Sequence, residues 1–305
     1  MATPGNTEII SSALDRITAG YVFPLRAAEA DRALRARLAA GEYEELSGAA
    51  LCEAVTEHLQ QVCPDRHLRL LWQDEPRPLT APADEGAGRA AFLALMRAEN
   101  HGIHRTEQLD GNIGYLDVRW ITDAGEGAHA IGAAMELVAR TCALLLDLRK
   151  CGGGSPAGAA MWCSYFFPDD EVHLNDIYER STDSTRQYWT LPYLPAPRYL
   201  ERPVYVLTSA TTFSGGEDVA YTLQAHGRAE VVGETTRGGA HPTARHPVTE
   251  HITVTVPTAR TVNAVTGTNW EGVGVQPDRA VPAEKALDAA HEAARGEARE
   301  RWGRR

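Results

Sequence analysis

The chain of 305 residues has little cysteine, no excess of positive charge and no long apolar run, and each shortage closes off a class of protein. Its five cysteines, Cys52, Cys63, Cys142, Cys151 and Cys163, are odd in number and nowhere show the paired CxxC spacing of a zinc site or redox motif. They read as reduced thiols in a cytoplasmic protein, and no metal or cofactor is expected. Thirty Lys and Arg stand against 41 Asp and Glu, a formal net charge of -11, which argues against a nonspecific grip on nucleic acid or an anionic membrane. The short basic group Arg301, Arg304 and Arg305 reads as a solvated helix end. No 18 consecutive apolar residues occur, and the opening eight residues have neither a basic nor an apolar leader segment, so membrane spanning and secretion are both disfavoured. What remains, 43% hydrophobic and 23% charged residues, suffices for one or two domains with real cores.

From Thr7 to Gln60 apolar residues recur at helical spacing, as in Ile10, Leu14 and Ile17, then Ala27 to Leu38, then Leu51, Val55 and Leu59, with Pro24 and Gly41 interrupting the pattern. Residues 1–75 are therefore predicted to form a helical domain. A Pro-, Asp- and Ala-rich linker and one more helix fill residues 76–105, the linker spanning Gln73 to Gly88. Over residues 106–283 the texture becomes strand, glycine turn, helix. Strands are predicted at 113–118, 143–148, 204–207 and 231–232 and helices at 131–138 and 214–226, while 252–256 and 261–265 alternate as a hairpin or pair. Residues 284–305 read as an Ala- and Glu-rich surface helix. The predicted class is α/β, a fold that places ligands at the carboxyl ends of its strands.

Two strand ends carry small residues suited to chemistry. Thr211-Thr212-Phe213-Ser214-Gly215-Gly216-Glu217 sets a serine on the turn between a strand and a helix, where amides at the helix N-terminus can stabilise an oxyanion. The same residues also fit a plain helix cap, with Glu217 closing a capping box on Ser214. Asp147-Leu148-Arg149-Lys150-Cys151 runs into Gly152, Gly153 and Gly154, and glycine lets a backbone approach a substrate closely.

These two segments resemble the Asp-Leu-Arg-x-Asn-x-Gly-Gly and nucleophile segments of the S41 serine peptidases. The stretch from Val232 through Gly239 to Pro242, and Gly274-Val275-Gln276-Pro277-Asp278, resemble later segments of that family in the same order. Tyr21 to Pro24, Gly41 to Tyr43 and Asp65-Arg66-His67-Leu68 are similar to the helical opening of its retinoid-binding-protein-like members. The resemblance implies a ββα-repeat core of the ClpP or crotonase kind, with Ser214 as nucleophile. The branch of C-terminal processing peptidases uses a lysine base where this chain has Gly239. The tricorn branch instead uses a histidine and a glutamate, whose motifs fall on His67 and Glu271. A serine needs a base that is neutral near pH 7 and a carboxylate to orient it, which those residues would supply. Gly215 and either Gly152 or Gly153 would form the oxyanion hole. His241 and His246 are the rival bases, and His241 is otherwise a substrate contact, beside Phe213, Trp162 and Cys151. Cys151 stands where the family has Asn, as an inert or a second reactive group, and Arg66 where the tricorn branch has a small hydroxyl residue.

Three functions stay open on these residues. A serine hydrolase acting on a peptide or a small apolar or acyl substrate is favoured, since every residue type of a triad is present. A lyase or cyclase of a specialised pathway fits too, because crotonase-like cores stabilise enolates as readily as tetrahedral adducts. A non-catalytic binder would line an apolar pocket with Trp162, Phe166, Phe167 and Phe213. Neither nucleic acid nor membrane is expected as a partner, and self-association as a homo-oligomer is left open.

Overall fold

Pro24 and Gly41 bracket a helix because one presets a helical φ and the other accepts the left-handed residue that follows a helix end. Helix α2 (Pro24–Ala39) starts on that proline, and Gly41 lies at φ +77°. The structure, a computed structural model, describes residues 4–77, 85–168 and 171–302. It divides into two units, the first made of Met1–Glu85, Ile177–Arg186 and His241–Thr261 and the second of Gly86–Asp176, Gln187–Ala240 and Val262–Arg305. Part of the expected linker, and the arginines Arg304 and Arg305, lie outside the described residues.

In the first unit α2 joins α1 (Asn6–Gly20) and α3 (Gly48–Val62), matching the three predicted stretches of helical spacing. Their buried stripes, including Ile10, Leu14, Ile17, Leu34, Leu51, Val55 and Leu59, share one apolar cluster with Leu68, Leu70, Ile252, Val254 and Val256. The last four come from an antiparallel sheet in the order β1 (Arg69–Trp72), β10 (Ile252–Pro257), β9 (Thr243–Pro247), with Leu70 opposite Val254. Two of these strands lie far from residues 1–75, because pairing between segments so distant in the chain has no local signature.

The second unit is built on a six-stranded sheet in the order β12 (Arg279–Ala280), β8 (Glu230–Gly233), β7 (Val204–Thr208), β4 (Ala143–Asp147), β3 (Ile113–Val118), β2 (Ile103–Leu109). β2 runs antiparallel to β3 and the other neighbours are parallel. Strands β4 and β7 are apolar up to their last residues, Asp147 and Thr208, because both faces are covered. Leu144, Leu146, Val204 and Val206 join the cluster that includes residues of α5 (Ala124–Val138), α6 (Pro156–Ser164) and α7 (Gly215–Ala225). Leu145, Tyr205 and Leu207 point the other way, against Ala286, Ala290 and Ala294 of α8 (Ala283–Trp302). Its alanines recur every four residues and make a buried stripe on that sheet face, while its other described positions are exposed or half-exposed.

The remaining elements are α4 (Glu85–Ala98), a 3-10 turn at Asn100–Gly102, and a sheet in the order β11 (Ala259–Asn263), β5 (His173–Glu179), β6 (Ser184–Trp189). The hairpin expected from the 252–256 and 261–265 alternation does not form, because β10 pairs with β1 and β9 while β11 pairs with β5. No helix among the described residues is long and apolar enough to cross a membrane.

Candidate active site

The turn from β7 into α7 is fixed to the end of β4 by side chains and backbone. Ser209 Oγ donates to the Arg149 carbonyl at 2.6 Å, Thr212 Oγ1 to the Leu148 carbonyl at 2.9 Å, and the Phe213 amide to the Cys151 carbonyl at 3.0 Å. The chain then reaches Ser214 at φ 51° and ψ -116°, immediately before α7. A residue with a Cβ avoids that region, at a cost of ~1–3 kcal/mol when it is forced there. Ser214 is half-buried, and its N–H donates to Glu217 Oε2 at 2.7 Å.

Glu217 does far more than close a cap. It is fully buried and also accepts from Thr236 Oγ1 at 2.5 Å, Gly238 N at 2.6 Å and Gly239 N at 2.9 Å. Burial pushes its carboxyl pKa up, while these four donors work in the opposite direction. The loop they hold is gripped from its other side by the Glu271 turn. Glu271 Oε2 accepts from Ala240 N at 2.5 Å, Trp270 Nε1 donates to the Gly239 carbonyl at 2.9 Å, and Gly272 N donates to the Gly238 carbonyl at 3.0 Å. Ser214 and Glu271 are thus joined through Glu217 and residues 238–240, within one unit.

Two of the three glycines after Cys151, Gly153 and Gly154, meet the serine turn closely. Gly153 has φ +111°, and a Cβ there would lie 2.8 Å from the Ser214 Cβ; one on Gly215 would lie 2.9 Å from Gly154 N. Only glycine fits at either position. Gly152 differs from its neighbour: its N–H donates to the Arg119 carbonyl at 2.9 Å, which commits it to backbone pairing. Cys151 is buried against Gly216, and burial pushes its thiol up to about 12, with a hydrogen bond from the Gly153 amide acting against that shift. It is therefore a neutral thiol. Trp162 is buried in the cluster with α5 and α7, and Phe213 is buried beneath the Arg237 guanidinium, 4.7 Å from its ring centre. Asp147 is held in place by Tyr115 Oη at 2.7 Å and by a two-pronged contact from Arg149 at 2.9 and 2.6 Å.

His67 and His241 belong to the first unit, where Asp65 engages both. Asp65 Oδ2 lies 2.7 Å from His241 Nδ1 and accepts from Tyr21 Oη at 3.3 Å, while Asp65 Oδ1 accepts from the His67 amide at 3.0 Å. All three residues are buried, the Phe23 ring meets the His241 ring edge-on, and Thr255 Oγ1 donates to the His67 carbonyl. The Asp65–His241 couple is not visible in the sequence, because its partners sit on segments that only the β1–β10–β9 sheet brings together.

A serine held at positive φ between a parallel strand and a helix, with glycine backbone packed on it, is an arrangement that suits serine acyl transfer on an α/β sheet. The chain belongs to peptidase family S41, whose model matches residues 112–281, the stretch from β3 to β12, and it is a serine-type peptidase. Among solved structures it is similar to a candidate peptidase from Parabacteroides merdae, with 17% identity over 96% of this chain and 97% of that one at a TM-score of 0.65. A lipoprotein from Streptococcus agalactiae matches at 13% identity, 97% and 98% coverage and a TM-score of 0.58. The tricorn protease matches at 13% identity over 96% of this chain and 37% of its own, with a TM-score of 0.57. At such identities the likeness is one of fold.

Proposed function

We propose that the chain cleaves peptides with Ser214 as nucleophile, His67 as general base and Glu271 as the acid that orients His67. Ser214 Oγ attacks the scissile carbonyl carbon as His67 takes its proton, and the imidazolium then returns that proton to the leaving amine. A water repeats the sequence on the acyl-enzyme and frees Ser214. The developing oxyanion would be received by the Gly215 amide and by the Gly153 amide, which Cys151 releases readily because sulfur is a weak acceptor. Gly152 is left out of this role by its bond to Arg119.

The observation that carries the reading is the backbone of Ser214. An N-cap ordinarily sits in the extended region, so helix capping gives no reason for φ 51°. Gly239 stands where a lysine base would be, which leaves histidine for that role. One distance favours a second assignment of the base: His241 with Asp65 at 2.7 Å has the separation of a base and its orienting carboxylate. The test is labelling by an ethoxy fluorophosphonate at neutral pH, read by intact mass. Wild type is expected to label and Ser214→Ala not to; an inert but folded wild type refutes the nucleophile.

A further inference from the structure

We propose that Trp120 is the aromatic wall of the subsite that receives the substrate side chain beside the scissile bond, and that the enzyme therefore selects apolar, above all aromatic, residues there. The proposal rests on Ser214 being the nucleophile.

Trp120 follows β3 directly and is 38% exposed, unlike the buried Trp162 and Trp270. Among the described residues the other two half-exposed tryptophans have a histidine over one face: Trp72 stacks on His251 and Trp189 on His173, with centroids 5.0 and 4.5 Å apart. Trp120 lies instead on the glycine turn. A Cβ at Gly152 would stand 3.0 Å from its Cη2, 3.3 Å from Cζ3 and 3.4 Å from Cζ2. The next glycine along, Gly153, is the one whose Cβ would press on Ser214. The six-membered ring of the indole is thus one residue along the chain from the backbone that touches the nucleophile.

The backbone that carries the ring is held rather than hanging. Arg119 N donates to the Gly102 carbonyl at 2.8 Å, Gly152 N to the Arg119 carbonyl at 2.9 Å, and Ile121 N to the Gly153 carbonyl at 2.8 Å. Gly102 lies so close beneath that a Cβ there would come within 2.8 Å of the Trp120 Cβ. An aromatic surface fixed before binding loses little freedom when a ligand arrives, and its flat face favours another apolar or aromatic group. The adjacent charge does not point to an acidic substrate, since the Arg119 guanidinium is paired with Asp117 at 3.3 and 3.1 Å.

The test compares rates of Ser214 modification by diphenyl aminoalkylphosphonates carrying a benzyl, isobutyl, carboxyethyl or hydrogen substituent, followed by intact mass. Wild type is expected to favour benzyl over hydrogen by ~10-fold or more, and Trp120→Ala to bring that ratio to about 2-fold or less. Trp120→Phe should keep most of the preference, and Trp189→Ala should keep all of it. Should the alanine variant lose its fold by circular dichroism, Trp120→Gln repeats the measurement with a polar side chain at this exposed position. An unchanged ratio in the Trp120 variants, or a carboxyethyl probe as the fastest, overturns the proposal alone. Failure of every probe and of the plain fluorophosphonate overturns the nucleophile, and the subsite with it.

Discussion

The backbone N–H of Ser214 donates to the carboxylate of Glu217 at 2.7 Å, and the same buried carboxylate takes Thr236, Gly238 and Gly239. One side chain therefore sets both the Ser214 turn and the loop that reaches Ala240. Glu217→Ala leaves four donors without their acceptor, at ~1–3 kcal/mol for each that stays unsatisfied. The expected result is a loss of ~3 kcal/mol or more in urea unfolding and of ~100-fold in Ser214 labelling, the scale of a small misplacement of reacting groups. Glu217→Gln keeps the shape but turns an NH2 group on those donors, and should also fail. Wild-type stability in the alanine variant would show that the carboxylate does not hold the turn.

Ser214 adopts a backbone that glycine accepts and alanine does not. Ser214→Gly and Ser214→Ala should both be inert to fluorophosphonate, with the glycine variant the more stable by ~1 kcal/mol once the entropy glycine adds to the unfolded chain is set against the relieved strain. Equal or reversed stabilities in paired urea melts would mean that the turn is not strained.

Asp218, four residues after Ser214, is buried with its Oδ1 accepting from Asn175 Nδ2 at 2.7 Å and Thr222 Oγ1 at 3.2 Å. Burial raises its pKa from 3.8 to about 7, despite those bonds. Between these values the folded protein keeps a proton that the unfolded chain has lost. Its contribution to stability is therefore full below the unfolded value and declines as pH rises towards the folded one, by about 1.4 kcal/mol per pH unit inside the window. Asp218→Asn removes this slope. Wild type should lose ground to the variant between pH 5 and about pH 7 in denaturant melts, and a constant gap between them would contradict the assignment.

The two histidines make opposite claims. If His67 is the base, His67→Ala loses ~1,000-fold or more in labelling rate and Ser214→Ala adds little to it, since base and nucleophile act as a unit. Glu271→Gln then costs less than either, and His241→Ala leaves labelling largely intact while removing a partner of buried Asp65. Silent labelling in His241→Ala and Asp65→Asn, with His67→Ala unaffected, would hand the role to the Asp65–His241 couple.

How far the sequence foretells these features depends on whether the cause is local. The stripe Ile10, Leu14, Ile17 reads directly as helix, and β4 and β7 as strands, since both sheet faces demand a run of apolar residues up to the strand ends. Strand β6, Ser-Thr-Arg-Gln-Tyr-Trp, carries no alternation because it is largely exposed. The stripe on α8 is hidden by its own chemistry, alanine serving as well for helix formation as for packing. At the site, Ser214 stands out through its small neighbours and through its likeness to a family. Glu217 is legible only as a cap, because its other donors arrive from residues 236–239, and the engagement of Gly152 with Arg119 shows only once the backbone is traced. Asp65 gives no hint of His241, which folding alone brings to it.

The core of the first unit has a consequence for how the chain is made. Residues 252–257 close the apolar cluster of α1, α2 and α3, yet they leave the ribosome long after those helices do. At ~5–20 residues per second the delay from Leu70 to Val256 is roughly ten to forty seconds. Throughout it the nascent chain carries three amphipathic helices with Leu68 and Leu70 uncovered, while β2, β3, β4, β7 and β8 of the other unit emerge and can already pair. The half that is synthesised first thus waits for a strand made more than 180 residues later, and its helices are the surface a nascent-chain chaperone would meet.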